Sequence, residues 1–376
     1  MAFALTGARV FDGDTICEGF AVVIEDRHIG KVVPQEELAA NIERRILHGG
    51  ILAPGFIDVQ VNGGGGALLN NSPSVETVKH IAESHRKFGT TGMLPTVITD
   101  SPNILTQAIA SVKAARKAKI PGILGIHIEG PFLDIDRKGA HEARYVRAMT
   151  ELDIAQITTA DCGVIMLTLA PNRVKPEFIS KFATQGVLVS LGHSSATIND
   201  TQSALDAGAR AFTHLFNAMS QMNGRDPGMV GAALSDKESF CGLIADGLHV
   251  HDAAMMVALA AKRNDRVMLI TDAMPTAAGG PEIFELQGRS VRLKNGRLQL
   301  DDSTLAGSNL TMDEAVRYCV AKLGVSLEQA LRMASLNPAI FIKSDHELGR
   351  IKAGYLANLV YLSSDLGVLE TWIEGK

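Results

Sequence analysis

Four side chains that could bind and use a metal ion stand at or near the ends of short apolar runs. They are Glu129, His193, His214 and Asp272. One carboxylate and two imidazoles suit a divalent cation such as Zn²⁺, with a position left open for water. A single histidine at a strand end is more often a hydrogen-bonded core residue, but unpaired charges gathered in one cavity would be costly. We therefore predict that Glu129, His193 and His214 are metal ligands.

Asp272 closes the last of these apolar runs, directly after Ile270 and Thr271. Beside a metal-bound water, its carboxylate would accept the water's proton and later pass it to a leaving group. The alternative is an aspartate that caps a helix or shapes a turn. His127 precedes Glu129 by two residues and shares its strand face, so we interpret it as a core residue or a support for the ligands.

The elements that would position these residues alternate between short apolar runs and longer, helix-like segments. Eight strands are predicted at residues 56–61, 93–98, 123–128, 164–169, 187–191, 211–215, 240–244 and 267–270. Helices are predicted at residues 75–87, 104–117, 151–158, 176–184, 197–207 and 251–263, whereas residues 217–239 are glycine-punctuated and only weakly helical. This alternation predicts an α/β fold, a (β/α)₈ barrel whose strand ends face one cavity.

Both ends of the chain depart from the barrel pattern and consist of short strands and turns. Neither end has enough apolar residues for a core of its own. We therefore predict one small β-sandwich domain made of residues 1–53 and 346–376, with the barrel at residues 54–345 inserted between them.

Composition excludes several classes of protein. The chain has 376 residues, 46% of them hydrophobic, which excludes a disordered polypeptide. A net charge of −5 without a basic block argues against nucleic-acid binding. No apolar run approaches the ~18 residues of a membrane span, and no basic segment introduces a signal peptide. Four widely separated cysteines form no CxxC pair, which indicates free thiols and a cytoplasmic protein.

Five longer motifs follow one another along nearly the whole chain. They are His127-Ile128-Glu129-Gly130-Pro131-Phe132, Gly192-His193-Ser194, Thr213-His214-Leu215-Phe216-Asn217-Ala218-Met219, Ala245-Asp246-Gly247-Leu248-His249 and Thr271-Asp272-Ala273. A further segment, Pro54-Gly55-Phe56-Ile57-Asp58, follows the N-terminal β segment. Together with the five motifs, it makes the sequence resemble the amidohydrolase superfamily, and within it the family of N-acetylglucosamine-6-phosphate deacetylases. The resemblance implies a hydrolase of a linear amide bond that serves amino-sugar catabolism or cell-wall recycling. It would convert N-acetyl-D-glucosamine 6-phosphate to D-glucosamine 6-phosphate and acetate, by attack of a metal-bound water with Asp272 as general base and then acid.

The resemblance also implies roles that spacing alone does not indicate. His141 would contact the sugar and help polarise the acetamide carbonyl, as a second catalytic residue beside Asp272. Arg225 and His249 would bind the 6-phosphate. The other substrate-binding residues would be Gln60, Ala140, Asn217, Ala218, Asp246, Gly247, Leu248, Leu305, Ala306 and Gly307. The family is usually homo-oligomeric, so we expect a homodimer or homotetramer in which Arg225 acts in its own site or in a neighbouring subunit's.

The end of the first barrel strand departs from the wider superfamily. Most members carry His-x-His there and bind a second metal ion, whereas we take the same place here to be Asp58-Val59-Gln60. An amide is a poor ligand for such a site. We predict one divalent ion per subunit, Zn²⁺ in preference to Fe²⁺, Mn²⁺ or Co²⁺.

Two other functions compete with this interpretation. One is an amidohydrolase of the dihydroorotase or dipeptidase type, acting on an unphosphorylated amide that would have no use for both Arg225 and His249. The other is a structural or regulatory relative that has lost its metal, which should show broken ligands. All three predicted ligands and Asp272 are present.

Overall fold

The computed structural model describes residues 2–376, so Met1, the first residue of the predicted small domain, lies outside the described residues. The chain begins with seven strands that precede the barrel. They are β1 (Ala2–Thr6), β2 (Arg9–Phe11), β3 (Ile16–Cys17), β4 (Phe20–Glu25), β5 (His28–Pro34), β6 (Glu43–Ile46) and β7 (Ile51–Pro54).

A closed parallel barrel follows. Its region contains β8 (Phe56–Val61), β9 (Gly63–Gly64), β10 (Ala67–Leu68), β11 (Thr90–Ile98), β12 (Gly125–Glu129), β13 (Val164–Leu169), β14 (Leu188–Leu191), β15 (Ala211–Phe212), β16 (Phe240–Leu243) and β17 (Val267–Leu269). All of these strands except β9 and β10 form one sheet in sequence order, and each ladder within it is parallel. A parallel bridge between Val61 and Ala273 joins the two edges of the sheet. The predicted (β/α)₈ barrel is confirmed.

Helices surround the barrel and follow its strands. They are α1 (Val75–Arg86), α2 (Pro102–Lys117), α3 (Glu151–Thr158), α4 (Pro176–Thr184), α5 (Ile198–Asp206), α6 (Gly228–Ser235), α7 (Asp252–Ala261), α8 (Met312–Ala321), α9 (Leu327–Ala334) and α10 (Leu336–Phe341). The six predicted helices are present, and the segment expected to be weakly helical contains α6. Side chains cap the starts of two of these helices: the Ser74 hydroxyl accepts the Thr77 N–H at α1, and Thr197 and Asp200 form a capping box at α5. Among residues 2–376, no helix is long and apolar enough to cross a membrane.

Strands from both chain ends form the small β-sandwich. After a three-stranded antiparallel sheet made of β18 (Ile283–Leu286), β19 (Arg289–Lys294) and β20 (Arg297–Gln299), the chain ends with β21 (Leu359–Leu362) and β22 (Val368–Trp372). One sheet of the sandwich has the order β5-β4-β1-β6 and the other β22-β21-β7-β2-β3. Leu5, Leu52, Leu359 and Trp372 are buried in one apolar cluster shared by the two sheets. From this distribution of strands, we propose the division into residues 1–53 with 346–376 and residues 54–345.

Candidate metal centre and active site

Glu129, His193 and His214 meet at the carboxyl ends of three barrel strands. Glu129 is the last residue of β12, and the histidines lie two residues beyond β14 and β15. The Nε2 atoms of His193 and His214 lie 3.2 and 3.0 Å from Glu129 Oε1, and 3.0 Å from each other. All three side chains are buried. The structure therefore brings the three predicted ligands together.

The donor atoms of this cluster suit a divalent cation. His193 Nδ1 lies 2.8 Å from the backbone carbonyl oxygen of Arg137, so Nδ1 carries the proton and Nε2 keeps a lone pair directed at the cluster. Burial alone would raise the pKa of Glu129, but the two histidines that contact its carboxylate, His193 and His214, lower it well below its usual value. A buried anionic oxygen and two imidazole nitrogens at one point form a site for a divalent metal ion.

Backbone geometry at these strand ends is unusual. His193 has φ +47°, His214 +33° and Asp272 +51°, in the left-handed region that residues with a Cβ rarely adopt. Such conformations cost about 1–2 kcal/mol and are held by the surrounding structure. They also explain why β15 is only two residues long: His214, two residues past its end, is already in the left-handed conformation, and a strand cannot continue through it.

Asp272 faces the metal ligands and accepts hydrogen bonds from two side-chain amides, one in β8 and one just beyond the end of β8. Gln60 Nε2 donates to Asp272 Oδ1 at 3.1 Å, and Asn62 Nδ2 donates to the same oxygen at 2.7 Å. Gln60 Nε2 also lies 3.2 Å from Glu129 Oε2, so this amide joins the two carboxylates. Burial, followed by the charge of Glu129, raises the pKa of Asp272 to about 6, near the range suited to a group that takes and returns a proton.

The sequence interpretation of the first barrel strand is wrong by two residues. The pair that faces the site is Gln60 and Asn62, not Asp58 and Gln60. The Asp58 side chain lies beneath Asp272, where it accepts hydrogen bonds from the Thr271 hydroxyl and backbone N–H. Burial raises the pKa of Asp58 to about 7 despite these hydrogen bonds. Asn62 was missed as a site residue, although the two-residue period of a strand places it on the same face as Gln60.

A cavity of about 390 Å³ opens above the cluster. Eight of the residues predicted to bind substrate line it: Ala140, His141, Asn217, Ala218, His249, Leu305, Ala306 and Gly307. Gln60 lies behind it, in contact with the two carboxylates. Asp246, Gly247 and Leu248 form the turn that carries His249, rather than the cavity wall.

Two histidines in the cavity present unpaired nitrogen atoms. His141 packs against His193 with ring centroids 4.4 Å apart, and its buried Nδ1 has no partner among the described residues. Burial lowers the pKa of His141 well below its usual value, so this ring is neutral. His249 Nδ1 lies 2.6 Å from Asp246 Oδ2, which leaves the buried Nε2 without a described partner. Burial would lower the pKa of His249, but Asp246 outweighs it and raises the pKa above its usual value.

Arg225 is the predicted site residue that lies apart from the others. Residues 221–226 form an exposed loop before α6, and Arg225 does not line the cavity of its own chain. Its assignment to phosphate binding therefore stays a prediction.

The strand ends of this parallel barrel carry a cluster of one carboxylate and two imidazoles, with a second carboxylate opposite the cluster. This arrangement defines the site of a metal-dependent hydrolase. Residues 51–376 match the model of the amidohydrolase family, and residues 2–52 match the NagA composite domain. The chain belongs to the amidohydrolase family.

Two curated relatives and one solved structure resemble the chain over most of their length. The chain is 41% identical to the N-acetylgalactosamine-6-phosphate deacetylase of Shewanella sp., over 98% of this chain and 94% of that one. It is 34% identical to the N-acetylglucosamine-6-phosphate deacetylase of Haemophilus influenzae, over 100% and 99% of the two chains. The crystal structure of N-acetylglucosamine-6-phosphate deacetylase from Pasteurella multocida superposes with a TM-score of 0.97 at 34% identity, and covers 100% of this chain and 99% of that chain.

Proposed function

We propose that this protein hydrolyses the acetamide of N-acetyl-D-glucosamine 6-phosphate to D-glucosamine 6-phosphate and acetate. The observation that carries the proposal is the placement of Asp272 opposite the Glu129, His193 and His214 cluster, in one cavity of an amidohydrolase barrel. The names of the relatives support the choice of substrate.

The side chains around the cavity divide the chemistry among them. A divalent ion held by Glu129, His193 and His214 would supply Lewis acidity toward the amide and acidify water. Asp272 accepts a proton from the attacking water and donates it to the amine, which leaves poorly unless protonated. Its Oδ1 already receives two amide N–H groups and its Oδ2 accepts none from the described residues, so Oδ2 is the oxygen that carries the proton. Neutral His141 would hydrogen-bond to the acetamide oxygen or the sugar.

A single ion per chain, most simply Zn²⁺, is part of the proposal. Two nitrogen ligands and one carboxylate suit Zn²⁺, with Fe²⁺, Mn²⁺ and Co²⁺ as alternatives. Gln60 and Asn62 occupy the positions from which histidines would bind a second ion. Their amide nitrogens donate to Asp272, and the neutral amide oxygens that remain are poorer ligands for such an ion than imidazole nitrogens.

The anionic end of the substrate requires cations. His249, whose protonated form Asp246 stabilises by raising its pKa, would supply one from within the cavity. We propose that Arg225 supplies the second in the cavity of a neighbouring subunit, in a homodimer or homotetramer. The helix α7 packs against α6, which follows the Arg225 loop. It exposes an apolar face at the helical spacing of Ala253, Met256, Val257 and Ala260, and this face would be covered by the second copy.

The cellular setting we propose is the cytoplasm. All four cysteines are free, and Cys162, Cys241 and Cys319 are buried. Free buried thiols are typical of reducing compartments, where phosphorylated sugars are also found.

The 4-epimer, N-acetyl-D-galactosamine 6-phosphate, is a second candidate substrate. The 41% identical relative from Shewanella is named for that sugar, although the superposed structure is named for the glucosamine compound. The two substrates differ only in the orientation of one hydroxyl group, so both belong in the same assay.

The decisive experiment measures acetate release from both phosphorylated sugars and from unphosphorylated N-acetylglucosamine, with Asp272→Asn as the inactive control. We expect high kcat/KM with a phosphorylated sugar and far lower kcat/KM without the phosphate. Equal kcat/KM with and without the phosphate would favour the rival amidohydrolase, and no acetate release from any sugar would refute the proposal.

A further inference from the structure

The orientation of the metal ligand His193 is set by two neighbouring segments. Its backbone has φ +47°, and its ring is oriented by the hydrogen bond from Nδ1 to the carbonyl oxygen of Arg137. Arg137 belongs to a one-turn 3₁₀ helix, Ile135–Arg137. Neither the left-handed backbone at His193 nor a single 3₁₀ turn is stable by itself. Contacts with another residue must therefore hold His193 and this turn in place relative to each other.

Asp134 contacts both segments. Its backbone N–H donates to the carbonyl oxygen of His193 at 3.0 Å, and its own carbonyl accepts the Arg137 N–H at 2.9 Å. Its carboxylate Oδ2 accepts the backbone N–H of Ser195 at 3.1 Å. The residue thus holds the turn on one side of His193 and the backbone on the other side.

The Asp134 carboxylate is itself tightly held. Arg173 donates to Oδ1 from Nε at 3.0 Å and from Nη2 at 2.6 Å. Asn172 donates to Oδ2 from Nδ2 at 2.7 Å. The Asp134 side chain is only 1% exposed, whereas that of Arg173 is 48% exposed. Four donors on one buried carboxylate join the ends of β12, β13 and β14, three consecutive barrel strands.

We propose that Asp134 is a positioning residue for the metal ligand His193, and that its carboxylate sets the affinity of the site for a divalent ion. The proposal rests on the metal site of the proposed function. Asp134 does not belong to the ligand cluster and does not line the cavity. It acts by fixing Ser195 and the turn that presents the Arg137 carbonyl, and so keeps His193 Nε2 directed at Glu129 and His214.

Replacement by asparagine tests the carboxylate specifically. Both oxygens of Asp134 accept hydrogen bonds, and an amide replaces one acceptor by a donor. In either orientation, the new NH₂ group faces two existing donors, those of Arg173 or those of Asn172 and Ser195. Asp134→Asn therefore keeps the size of the side chain and breaks two of the four hydrogen bonds.

The experiment measures Zn²⁺ affinity of metal-stripped full-length protein by competition with a chromophoric chelator, together with thermal unfolding of the metal-free forms. Loss of a residue that orients a metal-ligating histidine typically weakens metal binding about 10- to 100-fold, and we expect this range for Asp134→Asn. The matched control is Asp313→Asn: Asp313 is 5% exposed, pairs with Arg317 at 2.7 Å and contacts no ligand segment. Its Zn²⁺ affinity should equal that of the wild type.

A second variant covers the case in which Asp134→Asn does not fold. Arg173→Ala removes only the donors to Oδ1 and should weaken Zn²⁺ binding by about tenfold, the lower end of the same range. Variants that melt earlier but bind Zn²⁺ with wild-type affinity would assign Asp134 a structural role and overturn the inference. Wild-type protein that binds no Zn²⁺ would instead refute the metal site of the proposed function.

Discussion

Removal of the Asn62 side chain should shift the pH dependence of hydrolysis. Asn62 Nδ2 donates to Asp272 Oδ1 at 2.7 Å, and this hydrogen bond favours the charged carboxylate. A hydrogen bond to a charged group contributes about 1.5–3 kcal/mol. Since one pKa unit corresponds to about 1.4 kcal/mol, Asn62→Ala should raise the pKa of Asp272 by about 1–2 units.

The consequence for the reaction follows from the role of Asp272 as a base, which requires the ionised form. From a starting pKa of about 6, the shift would reduce the ionised fraction at pH 7 from about 0.9 to about 0.5–0.1. We therefore expect kcat/KM at pH 7 to fall about 2- to 10-fold and to recover toward the wild-type value above pH 9.

The assay is acetate release from the phosphorylated sugar between pH 5 and 10, and the quantity compared is the pKa of the acidic limb of kcat/KM. Asn71→Ala is the matched control, because Asn71 also donates one hydrogen bond, to the Glu285 carbonyl at 2.7 Å, but lies outside the cavity. An Asn62→Ala profile that is lowered equally at every pH would refute the reasoning, since the amide would then act on something other than the ionisation of Asp272.

Further variants test the other assignments. Asp272→Asn should retain Zn²⁺ but lose about 10²–10⁴-fold in kcat, because an amide cannot accept the proton; kcat near that of the wild type would contradict its role. Metal analysis after dialysis should find about one divalent ion per chain, and two tightly held ions would show that β8 contributes ligands after all. Arg225→Ala should cost about 1.5–3 kcal/mol, mainly in KM for the phosphorylated sugar, whereas equal losses on the unphosphorylated sugar would indicate a purely structural role. Lys262→Met should lower the free energy of unfolding by about 2–3 kcal/mol, measured in urea, because buried Lys262 donates to the carbonyls of Ala233 and Asp236; an unchanged unfolding midpoint would contradict this.

Apolar patterning was sufficient to predict the barrel. Strands buried along their whole length, such as β16 and β17, consist of continuous apolar runs because helices and barrel interior cover both faces. Once the strands were located, the meeting of Glu129, His193, His214 and Asp272 followed, since the carboxyl ends of parallel strands open onto one cavity.

What patterning could not predict depends on side-chain direction and on contacts distant in sequence. Asn62 lies just beyond β8, and only the alternation of side chains from Gln60 places it on the face of the site. The cluster around Asp134 joins residues about 40 and 60 positions apart, and no local pattern marks such contacts. The exposed position of Arg225 follows from a loop whose course the sequence alone does not determine.

The pairing of β7 with β21 has a consequence for the synthesis of this protein. Leu52 and Pro54 pair with Tyr361 and Leu359, residues made about 300 positions later. At the usual rate of about 5–20 residues per second, the N-terminal strands wait roughly 15–60 s for these partners. During that time β7 presents an open apolar edge, of the kind that invites pairing with other chains. Until then, the strands of the small domain that can complete their pairing are β5, β4, β1 and β6, and the core that they share with the C-terminal strands forms only after the barrel is made.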